Sequence, residues 1–165
     1  MVCTVTIYQQ LDYLRNKNLG FQTDHIVMTY LFNSDRSLTD RYNEVKHAFL
    51  QHPGVLSASA HHTYILGGAL ESYRAEGQDT FYRMHKLAID EDFLDTFGIS
   101  LAAGRNFSRD IASDSSEAFI LNESAVRKFG WDDPLGKEFE WMWDSARGLS
   151  RKGTVVGVVK DFHYR

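Results

Sequence analysis

A valine-rich run near the end of the chain, Val155–Val159 with Gly157 at its centre, is the feature that most restricts the fold. Valine is β-branched and favours extended backbone, and neighbouring residues of a strand point to opposite faces. The run therefore predicts a strand that other elements cover on both faces. Because a strand of this kind cannot stand alone, the rest of the chain has to supply elements that pack against it.

The segment from residue 119 to residue 130 predicts a strand followed directly by a helix. Phe119–Leu121 is a short apolar run of the kind found in buried strands. Asn122 stands where a helix N-cap belongs, and Gly130 supplies a left-handed stop. Three apolar residues share one face of the predicted helix: Ala125, Val126 and Phe129.

The remaining elements are predicted from periodicity and turn residues. A strand at 24–30, a helix that starts behind Ser37–Asp40 and stops at Pro53-Gly54, and a strand at Val55–Ala60 predict a β-α-β unit. Further along, we expect a strand at Phe81–Ile89, followed by a short helix that Asp90 caps and in which Phe93 and Phe97 form an i,i+4 pair. We also expect a mobile polar loop at Ser108–Ser116 and a hairpin arm at Glu138–Lys152. The fold class is therefore α+β.

The N-terminal residues predict an amphipathic helix from Tyr8 to Asn18 that ends near Gly20. An apolar start that runs into a charged helix suits a segment leaving a membrane. From the residues alone, an ordinary helix packed on its own domain is the favoured alternative. No run reaches the roughly 20 apolar residues that cross a bilayer. The residues before Tyr8 lack a signal-peptide pattern, so we expect the chain by itself to be soluble.

Composition excludes several classes of function. The 165 residues carry a formal net charge of −4, which gives no electrostatic footprint for nucleic acid. Hydrophobic residues make up 43% of the chain, enough to form a core. Cys3 is the only cysteine, so an intrachain disulfide is impossible.

The candidate metal sites all have a simpler structural interpretation. His61 and His62 are adjacent, so in a strand they point to opposite faces and cannot both bind one metal. The carboxylates of Asp90, Glu91, Asp92 and Asp95 fit a helix cap and first turn better than a catalytic pair. Asp110 and Asp114 lack the glycine and the glutamate of a calcium loop. We therefore predict no metal site.

Catalytic and cofactor motifs are also missing. The sequence contains no nucleophile elbow, and neither Gly67-Gly68 nor Gly153–Gly157 continues into a phosphate-binding or dinucleotide-binding pattern. Trp131, Trp141 and Trp143 could form an aromatic platform for a ligand, although tryptophan in a small domain more often packs in the core. We predict no catalytic residues and no cofactor.

Four blocks of sequence, in this order, resemble the periplasmic domain of MacB/FtsX-type ABC transporter permeases. They are Tyr8–Tyr13 leading to Lys17–Phe21; Arg41–Leu50 followed by Pro53-Gly54-Val55; Ile89–Leu94 with Phe97-Gly98-Ile99 and Ala103–Ser108; and Asn122–Ala125, Phe129-Gly130, Asp133–Lys137 and Val156–His163. The resemblance covers nearly the whole chain, and His61–Ala88 fits it least.

The resemblance implies a domain organisation. Residues 1–20 would be a membrane-proximal stalk helix and residues 21–165 a periplasmic ectodomain. Within the ectodomain, a mixed α/β porter-like lobe would comprise mainly residues 21–62 and 89–165. A smaller, mostly β lobe would comprise residues around 63–88 with part of 136–153.

The resemblance also implies a function. The chain would be a non-catalytic extracytoplasmic domain of a permease in the inner cell membrane, coupling ATP-driven motion of the membrane domain to export or to handling of periplasmic substrates. Its partners would be a separate ABC ATPase subunit, a second permease protomer, and a periplasmic adaptor or substrate protein. Drug efflux, peptide efflux and lipoprotein extraction all occur among such permeases, so no substrate carries over. The rival hypothesis is a stand-alone ligand-binding or enzymatic domain with an aromatic and His-lined pocket.

Overall fold

The computed structural model describes residues 6–8, 20–22, 24–30, 41–62, 69–144 and 147–163. Residues 6–8 are helical. In chain order the other elements are α1 (Tyr42–Leu50), β1 (Ala69–Ala75), β2 (Tyr82–Lys86), α2 (Phe93–Thr96), β3 (Leu101–Gly104), α3 (Asp114–Glu117), β4 (Ala118–Asn122), α4 (Glu123–Phe129), β5 (Glu138–Asp144) and β6 (Leu149–Val159). Helices and strands are mixed along the chain, so the predicted α+β class is confirmed.

The six strands form one sheet in which β6 has a central place. The order is β2-β1-β5-β6-β3, and β4 pairs with β6 as well. The first part of β6 pairs with β5 in an antiparallel hairpin, which confirms the predicted hairpin arm. Its last part pairs with β4 in parallel and with β3 antiparallel. The valine run is therefore the end of a longer strand, and its Val155, Val158 and Val159 are at most 5% exposed.

The predicted strand, cap, helix and stop are confirmed in β4 and α4. The Asn122 side chain accepts a hydrogen bond from the backbone N–H of Ala125 at 3.1 Å. Gly130 ends the helix with φ +68°. Ala125 and Phe129 are buried, and Val126 packs against the same cluster. This unit forms as predicted because each of its signals acts within a few residues.

Two apolar clusters make up the core. The first lies between α4 and the sheet, with Phe139 and Val155 each only 1% exposed. Its other buried members are Tyr73, Ala75, Leu121, Ala125 and Phe129. The second cluster surrounds α2 and consists of Phe93, Leu94, Phe97, Ile99 and Val159. β6 contributes to both, so it connects the two halves of the core.

The β-α-β prediction for the first third of the chain is wrong. Residues 24–30 and 55–60 are not strands, because no described strand pairs with their backbone groups. Val27 is 91% and Leu56 is 95% exposed. The only described ladder contact nearby is an isolated bridge between His61 and Ile89. The predicted start of the helix at residues 37–40 and the stalk helix beyond Tyr8 lie outside the described residues.

Two shorter predictions need correction. The strand expected at residues 81–89 is limited to Tyr82–Lys86. The polar loop expected to be mobile contains α3, and Asp114 at its start is only 8% exposed. The Asp114 carboxylate accepts hydrogen bonds from the Arg105 guanidinium at 2.5 and 2.8 Å and from the Ser108 N–H at 2.9 Å. These contacts anchor the loop.

No helix among the described ranges combines the length and the apolar character that crossing a membrane requires.

Candidate coupling site at the N-terminal junction

Residues 20–22 lie directly against the chain just after β6. Gly20 adopts φ +79°, and a Cβ atom there would lie 2.9 Å from the Asp161 carbonyl oxygen and 3.0 Å from the Phe162 Cα. Glycine is therefore the residue that allows this approach. The backbone N–H of Gln22 also donates to the Phe97 carbonyl at 2.8 Å. The N-terminal segment thus contacts both the end of β6 and the end of α2.

The Phe21 ring fills the space at this junction. It packs edge-on against Phe97, with ring centres 6.1 Å apart, and against Phe162 at 6.2 Å. Phe97 is 6% exposed and belongs to the second core cluster, which Phe21 and Phe162 border. Edge-to-face aromatic pairs contribute about 0.5–1.5 kcal/mol beyond the area they bury. A displacement of residue 21 would therefore act on the core itself.

The Asp161 carboxylate joins the end of β6 to the start of α4. It accepts hydrogen bonds from the Asn122 side-chain amide at 2.8 Å, from the Ser124 N–H at 2.9 Å and hydroxyl at 2.7 Å, and from Arg127 at 2.5 Å. The Glu123 carboxylate accepts in return from the Asp161 N–H at 3.3 Å. Burial alone would raise the pKa of Asp161, but the bonds from Ser124 and Arg127 outweigh it and lower the pKa.

These contacts form a continuous connection from the N-terminal segment into the domain. The segment touches Phe97 and Phe162, Asp161 fixes the adjoining backbone to α4, and β6 runs from there into both core clusters. The N-terminal segment is therefore tied to both core clusters.

The acidic residues near α2 surround a lysine. The Lys46 ammonium, on α1, donates to Asp90 at 2.6 Å and also to Asp92, and lies 3.8 Å from Glu91. Asp90, Glu91 and Asp92 could by distance hold a metal ion, but the ammonium already supplies positive charge to all three. Arg109 adds a second cation on Glu91.

The prediction that Asp90 caps the short helix is wrong. The cap position of α2 belongs to Asp92, whose side chain makes no capping hydrogen bond. Asp90 instead binds Lys46 and accepts from the Ala60 N–H at 2.9 Å. Burial would lower the pKa of Lys46, but its hydrogen bonds to Asp90 and Asp92 outweigh burial and raise it. The cluster therefore attaches α1 to the rest of the domain.

The other candidate residues are separated. His61 pairs with Ile89 and its ring lies 5.9 Å from Phe93, whereas His62 is exposed. Asp95 and Asp110 are exposed as well. The two histidines therefore occupy different environments.

The tryptophans do not surround a common pocket. Trp131 packs on Phe129 with ring centres 5.1 Å apart, Trp141 lies under Lys86, and Trp143 is 51% exposed. A shallow depression of about 470 Å³ includes Trp131 and Glu76 but neither of the other tryptophans. The pKa of Glu76 is lowered by the Glu138 N–H and by Lys137, which makes it part of a structural ion pair. An aromatic and His-lined pocket is therefore not favoured.

Sequence reasoning missed the contacts that carry the site. Phe21, Asp161 and Phe162 were present in the blocks of resemblance, yet nothing in their local pattern indicated that they meet. Lys46 has no local pattern that sets it apart from the other polar residues of α1. The one local signal near the junction was Gly20, which the sequence predicts as the end of the N-terminal helix and which adopts φ +79°.

Comparison with known proteins gives consistent results. Residues 2–164 match the family described as the MacB-like periplasmic core domain. A domain of a protein assigned as a permease from Porphyromonas gingivalis has a similar structure, with a TM-score of 0.54 and 30% identity over 72% of this chain. No curated protein sequence matches the chain.

Two further structures share the fold. The periplasmic region of MacB from Actinobacillus actinomycetemcomitans gives a TM-score of 0.51 at 20% identity over 74% of this chain. The extracellular domain of the ABC-type transporter YknZ from Gram-positive bacteria gives 0.51 at 21% identity over 79%. The present chain covers 49%, 54% and 65% of these three structures respectively.

Proposed function

This chain belongs to the family of MacB-like periplasmic core domains, and from that premise we propose that it is the extracytoplasmic domain of an ABC transporter permease subunit. The domain is non-catalytic and couples ATP-driven motion of the membrane domain to export or to handling of a periplasmic substrate. ATP hydrolysis belongs to a separate ATPase subunit. The further partners are a second permease protomer and a periplasmic adaptor or substrate protein.

The observation that carries this proposal is the junction at Gly20 and Phe21. A segment that arrives from a membrane can move a domain only if it contacts parts of the domain that do not yield. Phe21 touches the core through Phe97, and Gly20 touches the backbone that Asp161 attaches to α4. Close-packed interiors transmit strain because they have few voids to absorb it.

The proposal includes a domain organisation. Residues 1–20 form the membrane-proximal stalk, and residues 21–165 form the ectodomain. The porter-like lobe comprises mainly 21–62 and 89–165, and the second lobe comprises residues around 63–88 with part of 136–153. The pairing of β1 with both β2 and β5 supports the composition of the second lobe.

The experiment interrupts the stalk in the native gene product, reconstituted with its ATPase in liposomes. A fluorophore on Asp132→Cys, in a variant with Cys3→Ser, reports movement of the domain when ATP is added. Inserting Gly-Gly between Leu11 and Asn18 should abolish the ATP-dependent signal, because a broken helix cannot transmit torque or thrust. Circular dichroism should show that the domain stays folded.

The matched control inserts Gly-Gly after Gly77, in the exposed turn between β1 and β2. This insertion should leave the ATP-dependent signal intact. An unchanged signal in the stalk variant would mean that the stalk is not a lever. ATP hydrolysis by the purified 165-residue chain would contradict the non-catalytic assignment.

A further inference from the structure

One face of the sheet is covered by a helix in one part and carries two cationic side chains in another. Tyr73, Trp141 and Arg151 lie opposite one another on three neighbouring strands, so their side chains share this face. The pairing of Tyr73 with Tyr82 puts Lys86 on the same face, four residues along β2. Near Tyr82 the α4 helix covers the face. Around Trp141, two cationic side chains take the place of the helix.

Lys86 and Arg151 both lie over the Trp141 ring. The Lys86 ammonium is 3.1 Å from the ring centre, and the Arg151 guanidinium carbon is 6.0 Å from it. A cation over a tryptophan face is attracted by the ring quadrupole, and the attraction grows as water is removed. Trp141 is therefore a flat aromatic base that holds two positive charges close together.

Cations on the opposite face of the sheet have carboxylate partners, which sets them apart from Lys86 and Arg151. There, Arg74 contacts Glu140 at 2.5 Å and Lys152 contacts Glu138 at 2.7 Å, on the same strands. Among the described residues, neither Lys86 nor Arg151 has a carboxylate within 4.0 Å. The positive charges on the face with Trp141 are therefore less completely compensated by carboxylates than those on the opposite face.

The local charge of this face is incompletely neutralised. Burial lowers the pKa of Lys86. The Glu71 carboxylate, which shares this face two residues before Tyr73, raises the pKa by more than Arg151 lowers it. Burial and Arg151 together still outweigh Glu71, so the pKa of Lys86 is lowered. A carboxylate supplied from outside would relieve both the burial cost of the ammonium and the repulsion between the two cations.

We infer that the surface formed by Lys86, Trp141 and Arg151 binds an acidic peptide segment of a partner protein. Its cations suit side-chain carboxylates, and the Trp141 ring suits an apolar or aromatic neighbour of those carboxylates. Arg151 is exposed, Lys86 and Trp141 are half-buried, and the depressions beside Trp131 and beside Leu94 have other linings. An extended segment therefore fits this surface better than a small anion does.

Charge also decides against a membrane as the occupant. Binding to anionic lipid typically needs a cluster of about 4–8 Lys or Arg residues. This surface has two cations, and the chain carries a net charge of −4. The inference rests on the chemistry of this face alone. It holds whether or not the junction at Phe21 transmits motion.

The test measures binding of a synthetic peptide of alternating glutamate and phenylalanine, with blocked ends, to the 165-residue chain by calorimetry. The same peptide with glutamine in place of glutamate is the uncharged control. We expect the glutamate peptide to bind, and Lys86→Gln and Arg151→Gln each to weaken binding about tenfold. The matched control Lys152→Gln lies next to Arg151 on the opposite face and should leave binding unchanged.

A charge reversal makes the test independent of any loss of folding. Arg151→Glu should lose the glutamate peptide and gain affinity for a peptide of alternating lysine and phenylalanine. Equal binding of the glutamate and glutamine peptides would overturn the inference, and so would equal effects of Lys152→Gln and Arg151→Gln. Binding to phosphatidylglycerol vesicles that Lys86→Gln abolishes, without peptide binding, would assign the surface to a membrane instead.

Discussion

Replacing Phe129 with alanine tests whether α4 packs on the sheet as described. Phe129 is 5% exposed. Its ring centre lies 5.1 Å from that of Trp131, 5.4 Å from Tyr82 and 5.8 Å from Phe139. The side chain therefore holds together the helix, β2, β5 and the turn that follows α4. Its removal should weaken all of these contacts at once.

The expected cost can be worked out from this environment. Burying a phenylalanine side chain contributes about 1.5–3 kcal/mol. Aromatic pairing and the cavity left behind add to this, and buried Phe→Ala changes typically cost about 3–5 kcal/mol. We expect Phe129→Ala to lower the free energy of unfolding by about 4 kcal/mol. Phe129→Leu keeps most of the volume and should cost less than about 1.5 kcal/mol.

The assay is urea unfolding followed by far-ultraviolet circular dichroism. Phe81→Ala is the matched control, because Phe81 is 40% exposed and lies under the Arg74 guanidinium at 5.1 Å. It should cost about 1 kcal/mol or less. A loss below about 1 kcal/mol for Phe129→Ala would refute the assigned helix face. If Phe129→Ala is unfolded at the outset, Phe129→Leu supplies the comparison.

Three further predictions concern stability and use the same unfolding assay. Asp114→Asn should cost about 1 kcal/mol at neutral pH, since Arg105 is 42% exposed and water screens the pair. Arg105 lowers the pKa of Asp114, so the stability that the ionised carboxylate contributes is present above about pH 4 and is lost as the pH falls through the folded-state pKa. If Asp114→Asn leaves the loss of stability at acid pH unchanged, this reasoning is contradicted. Gly104→Ala should destabilise the domain far more than Gly77→Ala. Both glycines have φ above +70°, but a Cβ at Gly104 would lie 2.3 Å from the Val156 carbonyl oxygen, whereas one at Gly77 meets nothing within 4 Å. Equal costs for the two substitutions would refute the clash. Lys46→Met should cost about 3 kcal/mol or more because it leaves the buried Asp90 carboxylate without its cation, and a loss under about 1 kcal/mol would show that α1 is held by other contacts.

Local sequence signals predicted the C-terminal unit correctly. The cap at Asn122, the left-handed Gly130 and the apolar face of α4 each depend on residues within about one helical turn. The hairpin of β5 and β6 follows from two extended runs joined by a short connection. In these cases the chain neighbours of a residue supply its partners, so the residue types alone carry the information.

The predictions that failed needed a partner from elsewhere. Residues 24–30 and 55–60 have the composition of strands, but a strand exists only where another strand accepts its backbone hydrogen bonds. Asp90 has the position of a helix cap in the sequence, but its carboxylate binds the Lys46 ammonium of α1 instead. The ammonium brings a full positive charge to the carboxylate, whereas a backbone N–H brings only a partial one.

The sequence by itself determined the fold class, the family resemblance and the local elements of the last third of the chain. The tertiary structure alone decided that Phe21 meets Phe97 and Phe162, that Asp161 binds the start of α4, and that Lys86 and Arg151 share Trp141. The physical reason is separation along the chain. Hydrogen bonds and periodicity within a few residues are encoded by the neighbours themselves, whereas contacts between distant segments depend on sheet order and register, which only the assembled core fixes.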